Sequence, residues 1–180
     1  MINIRSFWCV LYTRTNFEKK IANELKRKGI AVFLPTVKLL KQWSDRKKII
    51  DSPLFPSYLF VKIDYKEQLF DALSTDGALY VIKSGKEISM VRESLIEELK
   101  IISSYGDSVE VFSNIFEPGE KVVVNKGPFK GLICEIVKHN SKLKVLVRID
   151  MLNRSILATL PLSDDSLVPN RTVVFENEMS

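Results

Sequence analysis

The chain has 180 residues, of which 46% are hydrophobic and 27% are charged. This composition supplies a core for one ordinary domain or two small ones, and it excludes a disordered protein. No apolar run approaches the roughly 20 residues that a membrane helix needs, and the first residues lack a signal-peptide pattern, so we expect a cytoplasmic protein.

The net charge of +5 is distributed unevenly along the chain. Residues 1–62 carry thirteen Lys or Arg and four Asp or Glu, a net charge of +9, whereas residues 63–180 carry fourteen and eighteen, a net charge of −4. The basic first third indicates that one partner is a polyanion, and the mildly acidic remainder suggests that other surfaces bind proteins. An uneven distribution of solvated charges is the alternative interpretation.

The first half of the chain alternates between strand and helix patterns. A β-type run at residues 7–13 precedes an amphipathic helix, which has Phe17, Ile21 and Leu25 at helical spacing and Gly29 just past its end. Further strands are predicted at residues 31–40 (bent at Pro35), 49–50, 58–63 and 79–83, with a polar loop or hairpin tip at 41–48. Further helices are predicted at residues 66–74 and 91–102. This order predicts an α+β sandwich with a mostly antiparallel sheet.

The pattern changes after residue 104. Residues 105–116 are predicted to be a flexible linker between a first domain at residues 1–104 and a second domain at residues 117–169. The second domain has short β-rich runs between turns, which predict a small β-barrel, and residues 170–180 are a predicted tail. Many of its residues are β-branched, and glycine and proline interrupt it, which favours strands over a helical hairpin.

The residues give no indication of catalytic or metal chemistry. Cys9 and Cys134 have apolar neighbours, which favours two buried thiols over a disulfide or a zinc site. The only histidine, His139, has no evident nucleophile as a partner, and neither a P-loop nor a GxGxxG motif occurs. We therefore expect no enzyme activity, no cofactor and no metal.

A glycine-containing motif opens the second domain. Residues 118–131, with the sequence PGEKVVVNKGPFKG, resemble the KOW motif. Glycine permits the tight turns and close packing that a small barrel needs at such positions. The residues that carry the resemblance are Gly119, Gly127, Phe129 and Gly131.

An aromatic motif lies in the first domain. Residues 53–61, with the sequence PLFPSYLFV, resemble the signature of the NusG amino-terminal domain, and Ser57 stands where that family usually has glycine. With both motifs in the family's order, the chain is identified as a member of the NusG family. The signature and residues 42–47 resemble the RfaH-like antiterminators of polysaccharide operons.

The resemblance implies a transcription elongation and antitermination factor with an α/β sandwich (NGN) and an SH3-like KOW barrel. The first domain would bind the clamp helices of the largest RNA polymerase subunit and the non-template DNA strand, and would reduce pausing and termination. The barrel would recruit a small-subunit ribosomal protein or the termination factor Rho. We expect a monomer that does not bind membranes.

The residues implied for polymerase binding surround the aromatic motif. They are Tyr12, Phe55, Pro56, Tyr58 and Phe60. Strand alternation places Tyr58, Phe60 and Lys62 on one face, and aromatic side chains supply large contact areas at low entropy cost. Burial of the same aromatic residues in an ordinary core is the alternative.

The residues implied for DNA binding lie in two stretches of the first domain. They are Arg14, Lys19 and Lys20 around the start of the first helix, and Gln42, Trp43 and Arg46 in the predicted hairpin tip. The basic residues of the helix lie opposite its apolar stripe and form an exposed ridge. Phosphates need such cations, and Trp43 supplies a stacking platform for a base. A solvated helix face is the alternative.

The alternative function is an RNA- or ribosome-binding protein that uses the KOW barrel on ribosomal RNA. Ribosomal KOW proteins do not need the aromatic motif of the first domain, so this motif favours the elongation factor. An enzyme with a β-barrel appendage is a third class, but it needs a reactive constellation that we do not find.

Overall fold

The computed structural model describes residues 6–42, 47–104, 109–112, 119–124, 132–139, 142–149, 152, 154–158 and 167–169. The chain forms two compact units, Met1–Gly106 and Asp107–Ser180. Among the described residues, no helix combines the length and apolar character that crossing a membrane requires.

The described part of the first unit contains one main sheet, two hairpins and three helices. In chain order its elements are β1 (Phe7–Thr13), α1 (Glu18–Arg27), β2 (Val32–Phe33), β3 (Thr36–Gln42), β4 (Lys47–Pro53), β5 (Tyr58–Ile63), α2 (Lys66–Leu73), β6 (Ala78–Val81), β7 (Lys83–Ser84), β8 (Glu87–Ile88), β9 (Met90–Val91) and α3 (Glu93–Ser104). The main sheet has the order β2-β5-β1-β6, β9 also pairs with β1, and every pair is antiparallel. The pairs β3-β4 and β7-β8 form the two hairpins.

One face of the main sheet carries the hydrophobic core of the first unit. The core comprises residues of β1, β5, β6, α1 and α2, together with Ile30 in the connection after α1: Cys9, Leu11, Ile21, Ala22, Leu25, Ile30, Leu59, Val61, Ile63, Ala72 and Val81. Ile21 and Leu25 belong to the predicted apolar stripe of α1 and are completely buried, which contributes roughly 1.5–3 kcal/mol each. Burial also raises the pKa of the Cys9 thiol to about 12, so this cysteine stays protonated.

A tight turn at Ser57 leads into β5. Ser57 is buried and has a φ of 70°, in the left-handed region that favours glycine. Its N–H donates to Oε1 of the buried Glu18 at 2.6 Å, and its carbonyl oxygen accepts from the N–H of Thr13 at 2.8 Å. The start of α1 therefore holds the ends of β1 and β5 together.

Several boundaries in the first unit differ from the predictions. The strand predicted at residues 31–40 is two strands, β2 and β3, which pair in different sheets, and the strand predicted at 79–83 ends as β6 at Val81. Within residues 41–48, predicted as a loop or hairpin tip, Lys41 and Gln42 end β3, whereas Lys47 and Lys48 begin β4. The cross-strand ladder of this hairpin continues to the Gln42–Lys47 pair, because backbone pairing outweighs the weak strand preference of polar residues.

The third helix begins later than predicted. Val91 belongs to β9, where it pairs with Trp8 of β1, and α3 begins at Glu93. Pairing with an existing strand outweighs the helical spacing of Val91, because that spacing is a local signal and the pairing is a tertiary one.

The described part of the second unit is an antiparallel sheet. Its strands are β10 (Val109–Phe112), β11 (Glu120–Val124), β12 (Ile133–His139), β13 (Lys142–Ile149), β14 (Arg154–Ala158) and β15 (Leu167–Pro169), in the spatial order β10-β14-β13-β12-β11-β15. Its buried residues include Val122, Val124, Leu132, Cys134, Val147, Leu152 and Ile156. The mixed α/β class with mostly antiparallel sheets is thus as predicted.

One part of the predicted linker belongs to this sheet. Residues 109–112 form β10, which pairs with β14, so this part of residues 105–116 is a strand and not a flexible connection. Val109 and Val111 are β-branched residues that suit a strand. The rest of the predicted linker (105–108 and 113–116) and the predicted tail at 170–180 lie outside the described residues.

We predict that Glu18→Ala destabilises the protein by about 1–3 kcal/mol, because it leaves the buried N–H of Ser57 without its acceptor. Glu18→Gln keeps an acceptor and is expected to retain most of the stability. Glu24→Ala, on the same helix, is the control. The side chain of Glu24 forms a partly exposed ion pair with Lys28 at 3.8 Å, so its removal is expected to lower the free energy of unfolding by less than about 1 kcal/mol. Urea unfolding followed by circular dichroism measures all three, and equal losses for Glu18→Ala and Glu24→Ala contradict the assignment.

Candidate functional site

Three tyrosines lie in a row across the main sheet, on the face opposite the core. Tyr12 of β1 lies between Tyr58 of β5 and Tyr80 of β6 in the strand register. The ring of Tyr12 meets that of Tyr58 edge-on at 5.2 Å between centroids and stacks on that of Tyr80 at 4.9 Å. Tyr80 is 52% exposed, and the other two are half-buried. This tyrosine row presents a preorganised aromatic surface.

Two of the aromatic residues predicted to bind polymerase are buried near the tyrosine row. Phe60 is completely buried, Phe55 is 2% exposed, and their rings meet edge-on at 6.4 Å between centroids. In this structure neither side chain has more than a trace of surface open to a partner. Phe60 lies two residues after Tyr58 on the same face of β5, so the two buried rings pack beside the tyrosine row and not in the core on the opposite face. Pro56, which immediately precedes the turn at Ser57, is exposed.

The other end of the same face is covered by the beginning of α3. The indole Nε1 of the buried Trp8 donates to Oε2 of Glu93 at 2.8 Å. Nζ of Lys62 lies 3.8 Å from the same carboxylate oxygen and 5.9 Å from the centre of the Trp8 ring. Trp8 is thus buried at this end of the face, whereas Tyr80 in the tyrosine row is exposed and Tyr12 and Tyr58 are half-buried.

A cluster of charged residues lies where β1 ends. Nζ of Lys20 donates to Oδ2 of Asp76 at 2.7 Å, and Nη1 of Arg14 lies 3.9 Å from Oδ1 of the same carboxylate. Nζ of Lys20 lies 5.1 Å from the centre of the Phe17 ring, and Cζ of Arg14 lies 6.0 Å from it. The side chains of Arg14, Lys20 and Asp76 are 61%, 58% and 61% exposed. We call these three residues the charge cluster.

Electrostatics and the backbone both stabilise this arrangement. The hydrogen bond and positive charge of Lys20, together with the charge of Arg14, hold the pKa of the Asp76 carboxyl below its ordinary value. The N–H of Arg14 donates to the carbonyl oxygen of Gly77 at 2.8 Å. Gly77 has a φ of 92°, and a Cβ added there would lie 2.4 Å from Cδ1 of Phe17. The loop that carries Asp76 is therefore held closely against the start of α1.

The remaining residues predicted to bind DNA are not part of the charge cluster. Nζ of Lys19 donates to the carbonyl oxygen of Asp51 on β4 at 2.7 Å, which connects α1 to the β3-β4 hairpin. Gln42 is the last residue of β3, whereas Trp43 and Arg46 lie outside the described residues. The basic residues of α1 are exposed, and among the described side chains predicted to bind DNA, Arg14 and Lys20 are the two that share one anionic partner.

The KOW motif falls only partly within the described residues. Gly119 precedes β11, and its N–H donates to Oε2 of Glu135 on β12 at 3.0 Å, which connects the two strands at this end. The other residues assigned to the motif lie outside the described part of the chain: Gly127, Phe129 and Gly131.

Sequence reasoning missed two residues of this surface. Tyr80 lies in a predicted strand, but the β1-β6 register shifts between Tyr12 and Thr13, so alternation alone does not show which face Tyr80 occupies. Asp76 is not among the residues that the sequence analysis assigns to DNA binding. Its partner Lys20 lies 56 positions earlier, and no local spacing rule connects the two.

The chain is similar in sequence to known transcription factors. It is 25% identical over 166 residues to the transcription termination/antitermination protein NusG of Borreliella burgdorferi, a match that covers 79% of this chain and 89% of that protein. It is 24% identical over 155 residues to the protein of the same name from Chlamydia trachomatis, with 79% and 85% covered.

A structure of NusG from Thermotoga maritima has a similar fold. The TM-score is 0.50 at 19% sequence identity, and the match covers 93% of this chain and 99% of that one. The family model described as transcription termination factor NusG matches residues 6–100, more than half of the chain, and these residues include both the tyrosine row and the charge cluster. The chain therefore belongs to the NusG family of transcription termination and antitermination factors.

Proposed function

We propose that this protein is a transcription elongation factor that binds RNA polymerase through the tyrosine row and reduces pausing and termination. The observation that supports this proposal is the tyrosine row. The ring of Tyr12 contacts both of the other rings, so the three side chains lose little conformational entropy on binding. Tyrosine is also enriched among the residues that dominate interface energies. The clamp helices of the largest polymerase subunit are the partner that family membership suggests.

The proposed action is binding without catalysis. A ligand shifts a conformational equilibrium by no more than its difference in affinity for the two states, so the factor must bind the elongating form of polymerase more tightly than the paused form. We expect a cytoplasmic monomer without a cofactor. The KOW barrel would recruit a second protein, either a small-subunit ribosomal protein or Rho.

The charge cluster is the proposed contact with the non-template DNA strand. Arg14 follows Tyr12 by two residues, so a polymerase docked on the tyrosine row would bring the strand of its transcription bubble close to Arg14 and Lys20. Contacts between exposed cations and phosphates tolerate any base sequence and weaken with salt. Lys19 lies next to the cluster in sequence and is a further candidate on the same helix.

We predict that Tyr58→Ala with Tyr80→Ala weakens binding to RNA polymerase about tenfold or more, because loss of an aromatic hot spot commonly costs more than 1.4 kcal/mol. The matched control is Tyr65→Ala: Tyr65 is 51% exposed, like Tyr80, but precedes α2, away from the tyrosine row. Biolayer interferometry with core polymerase measures affinity, and transcription through a terminator measures activity.

Circular dichroism separates lost binding from lost folding. Phe60 is unsuitable for this test, because truncating a buried phenylalanine costs about 3–5 kcal/mol of stability. If the folded double tyrosine variant binds polymerase as tightly as the Tyr65→Ala control, the polymerase assignment is wrong. Recovery of nuclease-resistant ribosomal particles in place of polymerase from cell lysate would favour the ribosome-binding alternative.

We predict that Arg14→Glu with Lys20→Glu weakens association with an elongation complex that contains an open bubble, and leaves binding to core polymerase without nucleic acid unchanged. The difference is expected to shrink at high salt, because two single-strand phosphate contacts contribute about 1.4 to the slope of log affinity against log salt. Lys83→Glu with Lys86→Glu, on the exposed β7-β8 hairpin, makes the same change in net charge and is the control. Equal affinities of the two double variants for the bubble-containing complex at low salt would show that Arg14 and Lys20 are merely solvated.

A further inference from the structure

The two cations proposed to bind DNA already have an anionic partner within the protein. The Asp76 carboxylate lies 2.7 Å from Nζ of Lys20 and 3.9 Å from Nη1 of Arg14, with one oxygen directed at each cation. An anionic oxygen of a phosphate would occupy a similar position between the same two cations. The net charge of the charge cluster is therefore +1, not the +2 of its cations alone.

The position of Asp76 is set by the backbone and not by a freely moving side chain. Asp76 directly precedes Gly77. The carbonyl oxygen of Gly77 accepts from the N–H of Arg14 at 2.8 Å, and the Phe17 ring packs so closely against Gly77 that no Cβ would fit there. The preceding residue, Thr75, is buried, and its hydroxyl donates to the carbonyl oxygen of Asp71 at 2.9 Å. The carboxylate is thus presented to the two cations by an ordered loop at little entropic cost.

The ion pairs are nonetheless open to exchange. The side chains of Arg14, Lys20 and Asp76 are each about three-fifths exposed, at 61%, 58% and 61%. Ion pairs at such exposed positions are weak and are screened by salt. A phosphate that approaches from solvent can therefore displace the carboxylate without any change in the fold.

We propose that Asp76 is an internal competitor of the nucleic-acid phosphate at Arg14 and Lys20, which rests on the proposed function of these two cations in DNA binding. Free single strands must displace the carboxylate and therefore bind weakly. A strand held nearby by a polymerase docked on the tyrosine row has a high effective concentration and displaces it readily. Asp76 thereby makes the DNA contact conditional on polymerase docking and limits binding to other nucleic acids.

The test is Asp76→Asn in the full-length protein, which removes the charge and keeps the shape of the side chain. The probe is a fluorescein-labelled oligothymidylate of about 12 nucleotides, a length within the site sizes of single-strand binding proteins, measured by fluorescence anisotropy at low salt. Asp76→Asn is expected to raise affinity roughly three- to tenfold, and to steepen the slope of log affinity against log salt by up to about 0.7, the contribution of one phosphate contact.

The control for net charge is Glu97→Gln. Glu97 forms an exposed ion pair with Lys100 at 2.6 Å on α3, so this variant makes the same change in charge and releases the same kind of pair. Glu97→Gln is expected to change the affinity for the oligonucleotide less than about twofold. Glu97 is paired with Lys100 and not with Arg14 or Lys20, and salt screens the interactions between exposed charges that are not in contact. Equal effects of Asp76→Asn and Glu97→Gln would overturn the competition.

A variant of the two cations separates failure of this inference from failure of the DNA proposal. In the Arg14→Gln, Lys20→Gln background, binding is expected to fall, and Asp76→Asn is expected to add no more than Glu97→Gln does. If neutralising the cations lowers affinity but Asp76→Asn alone has no specific effect, only the competition is wrong. If neither the wild type nor Asp76→Asn binds the oligonucleotide, or if binding does not depend on Arg14 and Lys20, the DNA contact and the competition are both wrong.

Discussion

The antiparallel register between β1 and β5 determines on which face of the main sheet Tyr12 and Tyr58 lie. It pairs Tyr12 with Tyr58 and Leu11 with Leu59, so the tyrosines project from one face and the leucines from the other. A shift of one residue would exchange the two sets, burying tyrosines under α1 and exposing the leucines to water. Burial of the hydrophobic core therefore specifies the register, and the register places the tyrosine row on the accessible face.

The start of α1 connects this register to the electrostatics of the surface. Glu18 accepts the N–H of Ser57 and so holds the turn before β5, whereas Phe17 packs against Gly77 in the loop before β6. Lys20, one helical turn after Phe17, reaches the carboxylate of Asp76 in that loop. One short segment thus positions the turn that precedes Tyr58 and the charge cluster, which suits them to bind neighbouring parts of one partner complex.

The sequence predicts the main elements because burial imposes a repeat on it. The alternation in β1 and β5 and the spacing of Ile21 and Leu25 in α1 each reflect one buried face, and all three elements form as predicted. The burial of Phe60 does not follow from alternation, which assigns a residue to a face but does not show which part of that face is covered. The pairing of Lys20 with Asp76 spans 56 positions and depends on tertiary packing, so no local pattern reports it.

Site-specific crosslinking reports whether polymerase docks on the tyrosine row. A photoreactive p-benzoylphenylalanine placed at position 80 substitutes one aromatic ring for another, and the same residue at position 65 provides a comparably exposed reference on the approach to α2. With elongation complexes, we expect a crosslink from position 80 to the clamp helices of the largest polymerase subunit, and none to that region from position 65. A crosslink to the clamp helices from position 65 alone would show that polymerase does not dock on the tyrosine row.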